Sequence, residues 1–454
     1  MDWNTIISAK RTGDESDEEP SRTGYQRDYD RLIFSSAFRR LQDKTQIFPL
    51  PGTVFLHNRL THSLEVASVG RSLGKLAGEK LLGQGKVKEE NKDFYKSELQ
   101  NVIAAACLGH DIGNPPFGHS GEKAISFYFE ENAEHIIEGN KSLKSYFSYN
   151  QWKDLVNFEG NANSFRVLTQ DFNGKSSGGY RLTYSTLASL IKYPCVSEAT
   201  DRNLINRKKF GFFQSETDLA RDIYEALHID KVSNEPVIYQ RHPFVYLTEA
   251  ADDICYRIVD VEDAHRLHIL SHDFVVEKFL KLLSDFDIDI NNVQKTLATL
   301  DDENEKIAYL RAKSIYALTI ASSAVFSEYS DSLLDGSFNY GLVDFLQKQY
   351  PVLKEIADFS VDKIYNHDTV LQLEIAGYRV MSDLLSLFIP AVLKEKPGHR
   401  DKKILRLIPE QFSSKTSEPY NKVFSVLDFL SGMTDPYIIQ LYRRLFGIEI
   451  PLHH

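Results

Sequence analysis

Seven apolar residues in a row, Val102-Ile103-Ala104-Ala105-Ala106-Cys107-Leu108, run into Gly109 and an ionisable pair, His110-Asp111. The turn Ile112-Gly113-Asn114-Pro115-Pro116-Phe117-Gly118 follows at once. The prolines stop a helix, and the glycine beyond them frees the backbone for a new start. The pair therefore stands at the buried end of a helix, where an imidazole and a carboxylate are costly unless something compensates them. A bound cation is one such compensation, since both groups are metal ligands. A chain built this way must fold so that other segments bring further ligands to that helix end.

Helical spacing dominates elsewhere. Residues 28–41 carry Leu32, Ile33, Ala37, Phe38 and Leu41 on one stripe, and 61–76 repeat the pattern with Leu64, Val66, Val69, Leu73 and Leu76. Segments 246–264, 307–326 and 369–388 are periodic in the same way. Strand signals are few; the turn-rich stretch 171–180 could cap a small hairpin. These signals predict a mostly α protein with at most a small β-hairpin. The acidic run Asp14-Glu15-Ser16-Asp17-Glu18-Glu19-Pro20 predicts a solvated, mobile loop near 12–21. The charged stretch 86–96 is expected to join two helices, and 394–403 to be a mobile connection. A boundary near 270 would divide the 454 residues, with no long linker to mark it.

The net charge of −11 argues against a surface that binds nucleic acid as a whole, without excluding a local basic stripe. The densest basic run, Arg207-Lys208-Lys209, reads as a solvated loop. Cys107, Cys195 and Cys255 form no CxxC pair, which excludes a thiolate zinc site and a disulfide framework and fits a reducing compartment. The start, Met1-Asp2-Trp3-Asn4, lacks the order of a signal peptide. The best apolar stretch, 384–393, is short and interrupted by Ser386 and Pro390, so no membrane segment is expected and the chain reads as cytoplasmic.

Ligands to accompany His110 and Asp111 are on offer from His62 in one predicted helix and from Asp252 or Asp253 in another. Such a mixed nitrogen and oxygen set suits Mn, Fe, Co, Ni or Zn, and Mg less well. Each residue also has an ordinary reading: a hydrogen-bonded histidine, a capping pair, a surface carboxylate. Past the proline turn, His119 and Glu122 are spaced to make a histidine whose tautomer is fixed by a carboxylate, as general acid–base work requires, or merely a helix start. There is no GxxxxGK[ST] and no GxGxxG, so a nucleotide would have to be held by side chains and metal. Arg59, one helical turn before His62, and Lys192-Tyr193 are candidates for that. Asp252, Tyr256 and Asp260 are spaced by four, which puts a ligand, an aromatic and a carboxylate on one helix face and favours Asp252 over Asp253 as the ligand.

The set His62, His110-Asp111 and Asp252 resembles the H…HD…D signature of HD-domain metal-dependent phosphohydrolases. Longer blocks are similar to the bacterial dGTP triphosphohydrolases: Arg39-Arg40-Leu41-Gln42-Asp43-Lys44-Thr45-Gln46, Arg59-Leu60-Thr61-His62-Ser63, the stretch from Gly109 through Glu122, Glu249 through Tyr256, and Leu373-Glu374-Ile375-Ala376-Gly377-Tyr378. The resemblance implies an HD-type helical catalytic core over 1–270 and a C-terminal helical region, 271–454, packed on it and contributing to the nucleotide pocket. It implies hydrolysis of a deoxynucleoside triphosphate, dGTP first among them, to deoxynucleoside and tripolyphosphate by attack at the α-phosphorus. Metal would sit on His62, His110, Asp111 and Asp252, as a divalent ion, Mn or Mg first, with Fe, Co, Ni or Zn as alternatives. His119 would be the acid–base residue with Glu122 as its partner, and Arg59 and Lys192, with Tyr193, would hold phosphates. Gln46, Tyr256 and Asp260 would surround the sugar, Ile47 and Tyr256 would exclude a 2′-hydroxyl, and Glu374 would contact the base. A homo-oligomer is implied, and response to single-stranded DNA or nucleotide effectors. Two other readings share the same residues: an HD-type phosphohydrolase of another nucleotide, and a nucleotide- or DNA-responsive binding protein with a vestigial site.

Overall fold

In a computed structural model of the chain, residues 1–13, 21–49, 56–175 and 177–449 are described. The acidic run 14–20 lies outside them. The helices that matter to the site are α1 (Gly24–Ile33), α2 (Arg59–Gly83), α3 (Leu99–Gly109), α4 (His119–Glu131), α5 (Gly160–Thr169), α6 (Val245–Arg266), α7 (Glu303–Glu328), α8 (Asp368–Leu393) and α9 (Pro419–Ser431). Four of the five expected helices lie within α2, α6, α7 and α8. The charged stretch 86–96 joins α2 to α3, as expected, through short helical turns.

The apolar run is α3 itself. From Val102 to Gly109 every residue is buried, with α1, α2 and α6 packed around it. The approach of α2 is close: a Cβ at Gly78 would collide with the Tyr95 carbonyl just ahead of α3. One apolar cluster runs from Trp3 to Ile438 and crosses position 270 without a break. That position falls between α6 and the helix His272–Asp285.

Three local expectations fail for identifiable reasons. The stripe over 28–41 is not one helix: α1 ends at Ile33, and the Ser35 hydroxyl accepts the Phe38 N–H at 3.0 Å, capping a new turn, Ser36–Arg39. A serine with this local bond competes with helix continuation. The described residues of 171–180 hold no hairpin; the Asp171 carboxylate accepts the Gly178 N–H at 2.6 Å and the Ser177 hydroxyl at 3.1 Å, closing a turn instead. Among the described residues the β structure is two small antiparallel sheets, Ile136–Glu138 with Lys141–Ser142 and Lys231–Ser233 with Ile238–Tyr239. The connection at 394–403 becomes helical from His399, fixed by Asp401, whose carboxylate accepts from the Gly398 N–H and the Lys394 ammonium at 3.0 Å each.

Helix α8 also exceeds what the sequence suggests. It has 26 residues and a window of mean hydropathy 1.3, long and apolar enough to cross a membrane by length and composition. Its apolar face is taken up by protein: Val380, Met381, Leu384, Leu385, Phe388 and Ile389 are buried, and α4 and α9 lie against it.

Candidate active site

His110 caps the C-terminal end of α3, and its Nδ1 lies 2.6 Å from the Cys107 carbonyl. That bond assigns a proton to Nδ1, and Nε2 is buried without a hydrogen-bond partner. His62, in the first turn of α2, brings its Nε2 to 3.2 Å from Asp252 Oδ1. The same carboxylate oxygen, from α6, lies 3.4 Å from His110 Nε2. One ligand atom from each of His62, His110 and Asp252 lies within 4.8 Å of the others. Buried polar atoms in a folded protein are almost always satisfied. Two imidazoles and a carboxylate, one imidazole nitrogen unpaired and turned to the shared point, fit a divalent cation. Asp111, the fourth expected ligand, stands at the edge of the group, with Oδ1 3.5 Å from His110 Nε2. Its two oxygens are taken by Arg59 Nη1 at 2.7 Å and Asn114 Nδ2 at 2.5 Å.

The charges are balanced locally. Burial would push the Asp252 carboxyl up, but the Lys192 ammonium, 2.8 Å from Oδ2, and the two histidines hold it well below the usual carboxylate range. Burial likewise opposes ionisation of Asp111, and the Arg59 guanidinium with His110 and His62 overcomes it. Both carboxylates are therefore anionic at neutral pH.

The proline turn returns the chain to this point. Gly118 precedes α4 with φ 58°, and a Cβ there would collide with the Arg59 guanidinium; only glycine suits both demands. His119 opens α4 with its Nδ1 2.9 Å from Glu122 Oε2, and Glu122 Oε1 accepts the Gly160 N–H at 3.0 Å. His119 is exposed and Glu122 buried. The hydrogen bond to Glu122, then its charge, raises the His119 pKa. Burial pushes Glu122 up, but the bond to His119 and its charge, with Lys209 and the Gly160 N–H, together outweigh it and the carboxyl titrates below its ordinary value.

A cavity of about 470 Å3 opens over these groups, ample for a drug-sized or nucleotide-sized ligand. The metal-ligand candidates, Arg59, His119, Lys192, Tyr193, Gln46, Ile47, Tyr256 and Glu374 all line it. Gln46 turns a buried Oε1 with no hydrogen-bond partner into this wall. Two expected residues stand behind the wall. Glu122 reaches the cavity only through His119. Asp260 is buried and accepts a hydrogen bond from the Tyr365 hydroxyl at 2.9 Å, and the Tyr365 ring stacks on Tyr256 at 5.2 Å. The four-residue spacing put Asp260 on the right helix face, but Tyr365 covers it. Lys209, placed by its neighbours in a solvated basic run, is instead in the cavity wall, 2.9 Å from Glu159. A larger cleft of about 1070 Å3 adjoins at His119, Lys123 and Lys209.

Comparison with known proteins agrees with this geometry. Residues 59–170 match the HD domain and residues 344–444 the phosphohydrolase-associated domain. The chain is 38% identical over 458 residues to a deoxyguanosinetriphosphate triphosphohydrolase-like protein of Synechocystis, covering 99% of this chain and 100% of that one. It is 37% identical over 459 residues to a protein of the same description from Pseudomonas aeruginosa, covering 99% of this chain and 100% of the relative. A deoxyguanosinetriphosphate triphosphohydrolase of Yersinia enterocolitica is 29% identical over 520 residues, with 99% of each chain covered. The chain belongs to the dGTP triphosphohydrolase family of HD-domain phosphohydrolases.

As a member of that family it is a metal-dependent hydrolase. The HD match contains Arg59, His62, His110, Asp111, His119 and Glu122, while Asp252 lies between the two matched segments. The phosphohydrolase-associated segment supplies Tyr365 and Glu374 to the cavity. It also supplies a residue the sequence did not single out. Asp435 is buried, and its carboxylate accepts the Thr45 N–H at 2.8 Å and the Phe117 N–H at 3.1 Å. One side chain thus fixes the backbone beside Gln46 and the turn that aims His119. Lys44, also buried, donates to the carbonyls of Asn114 and Ser431. No motif announces these contacts, because their partners lie far apart in sequence.

Proposed function

We propose that this chain hydrolyses deoxynucleoside triphosphates, dGTP foremost, by attack of water at the α-phosphorus, releasing a deoxynucleoside and tripolyphosphate. The observation that carries the reading is a single cavity holding the His62–His110–Asp252 point, His119 with Glu122 behind it, and the cations Arg59, Lys192 and Lys209. Its relatives' names supply the dGTP. A divalent metal, Mn or Mg first, on His62, His110, Asp252 and Asp111 would supply Lewis acidity and a water activated for attack on phosphorus. The chain's own part is to hold the triphosphate with Arg59, Lys192, Tyr193 and Lys209 and to neutralise its charge. His119, kept protonated by Glu122, stands ready to give its proton to the departing 5′-oxygen. Gln46 and Tyr256 face the sugar, with Asp260 acting through Tyr365, and Ile47 and Tyr256 close the 2′ side. Glu374, from the C-terminal region 271–454, faces the base. Three buried free cysteines support a cytoplasmic setting. A homo-oligomeric assembly, and response to single-stranded DNA or nucleotide effectors, belong to the same reading.

The test is turnover of all four dNTPs and GTP with Mn2+ or Mg2+. dGTP should lead, and GTP should be slower by about 10²-fold, the discrimination a tight apolar wall gives against one added hydroxyl. His110→Ala should abolish turnover. Equal rates on GTP and dGTP would contradict the sugar-pocket assignment.

A further inference from the structure

A second convergence of metal-binding side chains lies at the far end of α6. His265 sits in the last turn of that helix. His272 opens the helix His272–Asp285. Glu303 opens α7, directly after its capping residue Asp302. One ligand atom from each of the three lies within 4.8 Å of the other two. The imidazole rings of His265 and His272 have centroids 5.7 Å apart, tilted by 58°.

Two observations distinguish this from an ordinary surface cluster. His265 is only 6% exposed. The Nδ1 atoms of both histidines are shut off from solvent and make no hydrogen bond. A buried imidazole nitrogen without a partner is rare in a folded protein, and here both histidines of one cluster have one. The neighbouring Arg266 is committed elsewhere: its Nη2 lies 3.0 Å from Glu262, which also takes Arg311 at 2.9 Å.

We propose that His265, His272 and Glu303 form a second divalent-cation site, separate from the His62–His110–Asp252 centre and suited to Zn2+. Two imidazoles and a carboxylate with a fourth position left open are a ligand set zinc accepts readily. The site joins three helix ends. An ion there ties the C-terminal end of α6, the helix that presents Asp252, to the starts of two helices beyond residue 270. Its role is to brace α6, and it stands whether or not the reaction proposed above is correct.

The experiment is Zn2+ titration of the untagged full-length protein by calorimetry, with thermal unfolding read in parallel. The wild type should bind two equivalents, and His110→Ala should retain one. In the His110→Ala background, His272→Ala should remove the remaining equivalent, together with the rise in melting temperature that Zn2+ produces. Glu303→Gln, at an exposed position, should weaken that equivalent without affecting the fold. The proposal is overturned if His110→Ala retains no equivalent. It is also overturned if the retained equivalent survives both His272→Ala and Glu303→Gln.

Discussion

Glu122 holds a proton on His119 across 2.9 Å while its other oxygen is pinned by the Gly160 N–H. This pairing sets a pH limit that can be measured. In the role proposed for it His119 must be protonated to act, so activity should fall as pH rises through its pKa, which Glu122 has raised. Glu122→Gln removes the raising charge; the basic limb of the kcat/KM profile should move to lower pH, with the acidic limb little changed. His119→Ala should lower kcat by roughly 10²–10⁴-fold, the usual worth of a positioned acid. At this scale short motifs offered His62, His110, His119, Glu122 and Asp252 as candidates, and the fold brings His62, His110 and Asp252 together and pairs His119 with Glu122. The sequence said little about residues whose role comes only from what folds against them. Asn114 holds Asp111, and Lys209 leaves its basic run for the cavity wall; neither type nor neighbours mark them.

The elements that carry the ligands are joined by buried polar ties. His57, just before α2, places Nδ1 2.7 Å from Asp263 of α6 and Nε2 3.3 Å from Glu65 of α2. Burial pulls its pKa down, but the two carboxylates win and push it up to about 10. The folded value lies above the ordinary 6.5, so the stabilisation is fully present below about pH 6.5 and is lost as pH rises through about 10. His57→Gln should flatten the fall in unfolding free energy over that window. His57→Ala, which leaves two carboxylates facing each other, should cost about 3–5 kcal/mol in denaturant unfolding. Asp435 is the second tie. Asp435→Ala leaves the Thr45 and Phe117 N–H groups unmatched, at about 1–3 kcal/mol for a buried orphan. It should raise KM through Gln46 and lower kcat through His119, and steady-state kinetics beside thermal unfolding would separate these effects. Helix spans were legible from periodicity, but the break at Ser35 and the turn at Asp171 were not, because each depends on one local side-chain bond overriding the pattern.

Across the whole molecule, the cavity draws on residues from Thr45 to Glu374, brought together by one apolar core that spans both matched domains. Spacing alone could assemble the ligands only as candidates; the long block from Gly109 to Glu122 and its companions pointed to the family, and the packing of α2, α3 and α6 puts three of the candidates at one point. The C-terminal half was the least legible part. Its contributions, Tyr365 over Asp260 and Asp435 beneath the Gln46 segment, are contacts across 105 and 390 residues. The site of cleavage on the triphosphate is the decisive property of the proposed reaction, and identifying the first products of dGTP turnover by phosphorus NMR tests it directly. Deoxyguanosine and intact tripolyphosphate should appear together from the earliest time points. Pyrophosphate or orthophosphate as the first product, with a nucleotide left behind, would contradict it.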